Sequence, residues 1–196
     1  MRIDAIYAFL CFMIPGILCL VIRSIKYKNS DNRLRHIIWC VIYIYYGYLA
    51  VEDAAGIGTI WDLISYGEIK GRINLIPFAA CGTVTNMLNI LMFMPLGFLL
   101  PFIWKSFGKV HKTILFGFCM SLTIELAQLM CLRATDINDL IMNTLGTLIG
   151  YLCWKLFKLL FKRGGEHYAT FGRGEAALYM AAGTLGIILL YNWRWI

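Results

Sequence analysis

Residues 113–131 read TILFGFCMSLTIELAQLMC, and this stretch contains a single charged side chain, Glu125. A helix of this length rises about 28 Å at ~1.5 Å per residue, close to the ~30 Å hydrocarbon core of a bilayer. An acid inside such a helix must face protein or water, because lipid penalises its charge. The stretch therefore predicts a transmembrane helix, and Glu125 marks where unusual chemistry is expected.

The rest of the chain repeats this apolar pattern. Its 196 residues are 60% hydrophobic and 15% charged, with a mean hydropathy of +0.71. Soluble domains carry roughly 25% charged residues, so the composition excludes a secreted domain and a soluble enzyme. We predict an all-α polytopic membrane helical bundle of about six transmembrane helices, with a short interfacial helix within 57–69. The five other apolar runs cover about 5–22, 37–55, 84–104, 137–161 and 176–193.

The basic residues predict the orientation of these helices. Of the 18 Lys and Arg residues, 13 fall in the segments 23–36, 105–112 and 155–175. Cytoplasmic loops carry the excess of Lys and Arg in membrane proteins, so both termini are predicted to be extracytoplasmic. The net charge of +7 is then a consequence of topology, and no nucleic-acid partner is expected.

Polar side chains recur on facing surfaces of two neighbouring helices. Ser121, Glu125 and Gln128 share one face of the 113–131 run, because residues three and four apart lie together on a helix. Asp136, Asp139 and Asn143 share one face at the start of the next run. Arg133 lies in the hairpin between the two runs, and Asn74 and Asn89 lie earlier in the chain. All are predicted to lie near the outer boundary of the membrane. The predicted functional cluster consists of Asn74, Asn89, Glu125, Gln128, Arg133, Asp136, Asp139 and Asn143.

Each member of this cluster also has a structural interpretation. Asp136 and Asp139 suit the N-cap and first turn of a helix. Glu125 can pair with Arg133 as a buried ion pair. Asparagines such as Asn89 often form hydrogen bonds between membrane helices. The pair Gly146 and Gly150 is typical of close helix packing. Both interpretations of the cluster stay open at the level of sequence.

The residue types limit the chemistry of the cluster. Three carboxylates suit Ca²⁺ or Mg²⁺, but Arg133 opposes a cation by charge repulsion. Zinc and a His-containing triad are not expected, because His36, His111 and His167 lie on the predicted cytoplasmic side. No metal or other cofactor is expected, and no residue is assigned as catalytic. A carboxylate acting as general base, with Arg133 stabilising an anion, is one alternative. Binding of a polar ligand or lipid headgroup is the other.

Two cysteines also lie near predicted outer loops. Cys81 and Cys131 fall on the same predicted side of the membrane. A disulfide between them is one possibility, although spacing alone does not establish the geometry that a disulfide needs.

Four blocks of sequence carry a resemblance to a known family. They are NLIPF at 74–78, NILMFMPLG at 89–97, SLTIELAQ at 121–128 and RATDINDLIMNTLG at 133–146, with Gly150 following. In this order they resemble the VanZ-like family of bacterial membrane proteins. The resemblance implies a VanZ-like membrane domain over 37–196 with its core motifs in 74–150. Residues 1–36 would add an N-terminal transmembrane helix and a basic cytoplasmic loop.

The resemblance also carries an expectation about function. The founding member of the family is associated with resistance to teicoplanin, a lipoglycopeptide that targets cell-wall precursors. The resemblance therefore implies a multi-pass protein of the bacterial cell membrane that lowers susceptibility to such antibiotics or to envelope stress. Its outward polar pocket would bind a membrane lipid, a lipid-linked envelope precursor or the lipoglycopeptide itself. A membrane-embedded enzyme acting on an envelope substrate and a small transporter or flippase are the alternatives. The oligomeric state is left open.

Overall fold

The computed structural model describes residues 3–26, 32–66, 72–74, 76–77, 82–131, 134–161 and 171–191. Most of these residues are helical. The described residues also contain a two-stranded parallel ladder, a π-helical segment (Leu49–Ala55) and a 3-10 turn (Lys105–Phe107). The strands are β1 (Arg72–Asn74) and β2 (Ala134–Asp136). The helices are α1 (Ile3–Lys26), α2 (Arg33–Tyr48), α3 (Ile60–Tyr66), α4 (Thr83–Ile103), α5 (Val110–Gln128), α6 (Ile137–Phe161) and α7 (Glu175–Leu190).

Within the described residues, five helices are long and apolar enough to cross a membrane. They cover Asp4–Lys26, Arg33–Glu52, Val84–Ile103, Val110–Gln128 and Ile137–Phe161. The prediction of an all-α membrane protein is thereby confirmed. The sixth apolar run forms α7, whose 16 residues rise only about 24 Å. This helix follows Gly174, which has a left-handed backbone with φ of 74°, and it ends at Tyr191, whose backbone is extended.

The short helix predicted within 57–69 is present as α3. Thr59 begins it with reciprocal hydrogen bonds to Asp62. The Asp62 N–H donates to Thr59 Oγ1 at 3.2 Å, and the Thr59 N–H donates to Asp62 Oδ2 at 2.8 Å. Such a capping box satisfies two backbone donors at the start of a helix. The interfacial position of α3 stays a prediction.

The chain divides into two compact units. The first contains residues 1–69 and 167–196, and therefore α1, α2, α3 and α7. The second contains residues 70–166, with β1, α4, α5, β2 and α6.

The first unit is built by close packing of α7 against α1 and α2. A Cβ atom placed on Gly186 of α7 would collide with the backbone carbonyl oxygen of Cys11 on α1. The side chains of Phe12, Tyr43 and Tyr179 are fully buried between these helices. At the other end of α1, Arg23 donates to the carbonyl oxygen of Phe171 at 3.2 Å. The segment that precedes α7 is thus attached to α1.

The second unit is organised by backbone contact between α4 and α6. Gly146 lies against the carbonyl oxygen of Ile90, and Gly150 lies against that of Met94. From the other helix, Gly97 lies against the carbonyl oxygen of Thr147. Small residues allow membrane helices to approach to this distance. The packing role predicted for Gly146 and Gly150 is confirmed.

A parallel ladder completes the second unit. Strand β1 pairs with β2, and the register places Asn74 opposite Asp136. The segment that precedes α4 is thereby held beside the segment that precedes α6, which brings polar residues distant in sequence to one place.

We expect Gly150→Ala to destabilise the second unit, because the added methyl group would overlap the backbone of Met94. Overpacking of this kind costs about 1–3 kcal/mol. Gly82→Ala is the matched control, since its Cβ would meet only Thr85 Oγ1 at 3.8 Å. Thermal unfolding of both variants in the same detergent measures the difference. Equal midpoints for the two variants would contradict a backbone contact at Gly150.

Candidate functional site

Glu125 joins the end of α5 to the start of α6. Glu125 is only 4% exposed. The carboxylate Oε2 accepts the N–H of Asp136 at 3.1 Å, and the Glu125 carbonyl oxygen accepts the hydroxyl of Thr135 at 3.0 Å. A single residue of α5 therefore positions strand β2 through both its side chain and its backbone.

Asp136 caps α6 and also contacts the other strand. Its Oδ1 accepts the N–H of Asn138 at 2.9 Å, which is the N-cap hydrogen bond to the second residue of the helix. The same oxygen accepts the Asn138 side-chain amide at 2.8 Å. Its Oδ2 accepts the Asn74 amide at 3.1 Å. The capping interpretation of Asp136 is thus confirmed, and the same carboxylate belongs to the cluster.

Asn89 and Asp139 connect α4 to α6. The Asn89 side-chain amide donates to Asp139 Oδ1 at 2.6 Å, and both side chains are half-buried. A bond to an ionised acceptor is about twice as strong as one between neutral groups. Asn89 directly precedes Ile90, and Asp139 lies two turns before Gly146, so polar and backbone packing follow one another along the same interface.

A deeper polar contact joins α5 to α6. The Asn143 side-chain amide donates to Ser121 Oγ at 2.9 Å, and both residues are buried. Asn143 Oδ1 is also buried, and within the described residues it has no hydrogen-bond partner. Asn89 and Asn143 therefore form the interhelical hydrogen bonds predicted for them.

The structure brings most of the predicted site residues together. Gln128 is buried one turn after Glu125. Arg133 lies outside the described residues. Its predicted ion pair with Glu125 and its predicted role in stabilising an anion therefore stay predictions. Cys81 also lies outside them, while Cys131 is a free thiol that donates to the Gln128 carbonyl oxygen at 3.2 Å. Hydrogen bonds join these residues in two groups, Asn74 with Glu125 and Asp136, and Asn89 with Asp139, and the acids of the two groups lie within electrostatic range. These five residues are called the acidic cluster below.

The acidic cluster concentrates hydrogen-bond acceptors. The carboxylates of Glu125, Asp136 and Asp139 lie within electrostatic range of one another. An ionised carboxylate accepts at about four lone-pair sites, so the bonds described above leave acceptor capacity at Glu125 and Asp139. Such a set suits a group that donates hydrogen bonds, such as an ammonium, an amide or a sugar hydroxyl.

Sequence reasoning missed two features. Asn138 is fully buried and supports the Asp136 cap, and its position two residues after the cap was the available signal. In the first unit, the side chains of His36, Cys40 and Glu175 converge. His36 and Cys40 are one helical turn apart, but Glu175 is 139 positions from His36, and no local pattern connects them.

The comparisons with known proteins match most of the second unit and part of the first. A sequence profile of the VanZ/LLP1 family matches residues 34–158. The chain is also 40% identical over 89 residues to Protein VanZ from Enterococcus faecium. That alignment covers 44% of this chain and 53% of that protein, so the chain spans about half the length of this curated relative. No solved structure matches the chain.

We expect Glu125→Ala to lower thermal stability in detergent, because the N–H of Asp136 loses its acceptor. An unsatisfied buried donor costs about 1–3 kcal/mol. Glu125→Gln keeps a carbonyl oxygen at that position and should retain most of the stability. Thr123→Val is the control on the same helix, because Thr123 is exposed and bonds only within α5. Equal losses for the Ala and Gln variants would show that the charge, and not the acceptor, stabilises the fold.

Proposed function

The chain belongs to the VanZ/LLP1 family, and on this basis we propose that it is a multi-pass protein of the bacterial cell membrane that lowers susceptibility to teicoplanin-type lipoglycopeptides. The phenotype is proposed from the association of the founding family member with teicoplanin resistance. The partial identity to Protein VanZ and the five membrane-length helices support it.

We propose further that the acidic cluster is the binding site behind this phenotype. The observation that carries the proposal is the convergence of three carboxylates with the amides of Asn74 and Asn89. Ionisable residues in membrane helices are rare and most often functional. The cap of α6 requires only Asp136, so Glu125 and Asp139 are acids beyond that cap.

The ligand is argued from the chemistry of the cluster. Acceptor oxygens and negative charge select hydrogen-bond donors and ammonium groups. Headgroups of lipids, lipid-linked envelope precursors and lipoglycopeptides carry amines, amides or sugar hydroxyls. The predicted orientation places the cluster at the outer boundary of the membrane, where all three are found. Binding there would keep the antibiotic from its target or hold the precursor away from it.

Expression in a sensitive Gram-positive host tests both proposals. We expect the wild-type chain to raise the teicoplanin concentration that inhibits growth. Glu125→Gln and Asp139→Asn should remove most of this effect at equal membrane abundance, because each replaces a charged acceptor by a neutral amide. Thr123→Val should behave as the wild type.

The outcomes separate the two proposals. If the wild type leaves susceptibility unchanged, the resistance function is wrong. If the Gln and Asn variants protect as well as the wild type, the acidic cluster is structural. Mass spectrometry of envelope lipids from the same strains tests the enzymatic alternative, which requires a product that depends on Glu125 or Asp139.

Labelling of intact cells tests the proposed orientation. A membrane-impermeant maleimide should label a Gly82→Cys variant above the wild-type level, because Gly82 lies before α4 on the predicted outer side. A Ser106→Cys variant should be labelled only after the cells are opened, since Ser106 lies in the predicted cytoplasmic segment 105–112. Both positions are exposed. The reverse pattern would contradict the assignment of sides.

A further inference from the structure

A second set of ligand-type side chains lies in the first unit, apart from the acidic cluster. His36 and Cys40 project from α2, and Glu175 is the first residue of α7. The exposed fractions of the three residues are 5%, 0% and 1%. One ligand atom from each lies within 4.8 Å of the others.

Glu175 and Cys40 approach the same ring nitrogen of His36. Nε2 lies 2.8 Å from Glu175 Oε2 and 3.4 Å from Cys40 Sγ. A neutral imidazole nitrogen is either a donor or an acceptor. As a donor, Nε2 has a single proton for a carboxylate and a sulfur. As an acceptor, it faces the lone pairs of an ionised carboxylate. An Nε2–H can serve only one of these two side chains, whereas a cation between the three atoms would use one electron pair from each.

The distances fit a tetrahedral metal site. Zinc binds histidine nitrogen at about 2.0–2.1 Å, thiolate sulfur at about 2.3 Å and carboxylate oxygen at about 2.0–2.2 Å. Tetrahedral angles then separate nitrogen from sulfur by roughly 3.5 Å and nitrogen from oxygen by roughly 3.3 Å. The observed 3.4 Å between nitrogen and sulfur agrees with this geometry. The 2.8 Å between nitrogen and oxygen is a hydrogen-bond distance, which must lengthen by roughly half an ångström when a cation enters.

Charge and surroundings favour the same conclusion. A thiolate and a carboxylate together neutralise a divalent cation, which matters because an unbalanced buried charge is costly. Phe171 packs edge-on against the His36 ring with the ring centroids 4.6 Å apart, which holds the imidazole in place. Tyr179 lies one turn after Glu175, and its buried hydroxyl has no hydrogen-bond partner among the described residues. This hydroxyl lies within electrostatic range of Glu175, Cys40 and Arg23, and it can hydrogen-bond a water molecule in a fourth metal position.

We propose that His36, Cys40 and Glu175 bind one thiophilic divalent cation of the zinc class and thereby join α2 to α7. Binding replaces the thiol proton of Cys40 and any proton shared by His36 and Glu175, and these protons pass to solvent. In the sequence, His36 and Glu175 fall within the predicted cytoplasmic segments 23–36 and 155–175, so the metal would come from the predicted cytoplasmic side. The proposal does not depend on the proposed function, because it uses no residue of the acidic cluster.

Cobalt provides a spectroscopic test with the purified full-length chain in detergent. After metal is removed with a chelator, one equivalent of Co²⁺ should give a thiolate-to-cobalt charge-transfer band and the visible bands of tetrahedral cobalt. Zn²⁺ should displace it and raise the unfolding temperature. Cys40→Ser and His36→Ala should weaken binding by more than about 100-fold, since second-shell partners alone account for about 10- to 100-fold. Cys153→Ser is the control, because Cys153 is exposed and lies in the second unit.

The opposite results would overturn the site. If Co²⁺ gives no sulfur band, or if the Cys40→Ser variant binds it as tightly as the wild type, the group is only a buried ion pair of His36 with Glu175. If the variants do not fold, X-ray absorption of the zinc-loaded wild type decides. A sulfur scatterer at about 2.3 Å from zinc supports the site, and a shell of nitrogen and oxygen alone would overturn it.

Discussion

The contact on which the second unit depends is the meeting of the α4 and α6 backbones at Gly97, Gly146 and Gly150. Lipid tails are as apolar as leucine, so burial of apolar surface does not drive membrane helices together. Van der Waals contact between backbones and hydrogen bonds between helices must do so. Each glycine removes the side chain that would keep the two axes apart, and the short distance brings polar groups on both helices within reach.

The polar contacts follow from that approach. Asn89 of α4 reaches Asp139 of α6 near the end of the glycine interface, and the β-ladder places Asn74 beside Asp136. Glu125 then attaches α5 to the same point through the N–H of Asp136. The same bonds therefore stabilise the fold and assemble the acidic cluster. For this reason Glu125→Gln, which keeps the acceptor, is more informative than Glu125→Ala.

The helices of the first unit are also held together by a close backbone contact and by buried polar groups. Gly186 allows α7 to contact α1, and His36 and Glu175 form a buried pair with Cys40 beside them. A buried ion pair is weak support for stability, because desolvation offsets much of the attraction. The proposed cation would balance the thiolate and carboxylate and give this group a clearer physical role.

The fold class was largely predictable, because an apolar run near twenty residues has few solutions in a bilayer other than a helix. The facing polar surfaces of α5 and α6 were predictable from helical spacing and a short hairpin, and the Asn143–Ser121 bond confirms them. The register of β1 against β2 was not predictable. Three-residue strands carry too little pattern, and their pairing depends on where α4 and α6 meet.

The sequence by itself determined that this chain forms membrane helices, that Asp136 caps α6 and that Gly146 and Gly150 pack closely, because those features depend on neighbours within a few positions. Only the tertiary structure decided that Asn74 meets Asp136, or that Glu175 meets His36 across 139 positions. The physical reason is that such contacts depend on how each helix is rotated and how closely it crosses its neighbour. Those quantities are set by packing over the whole interface and not by any local pattern.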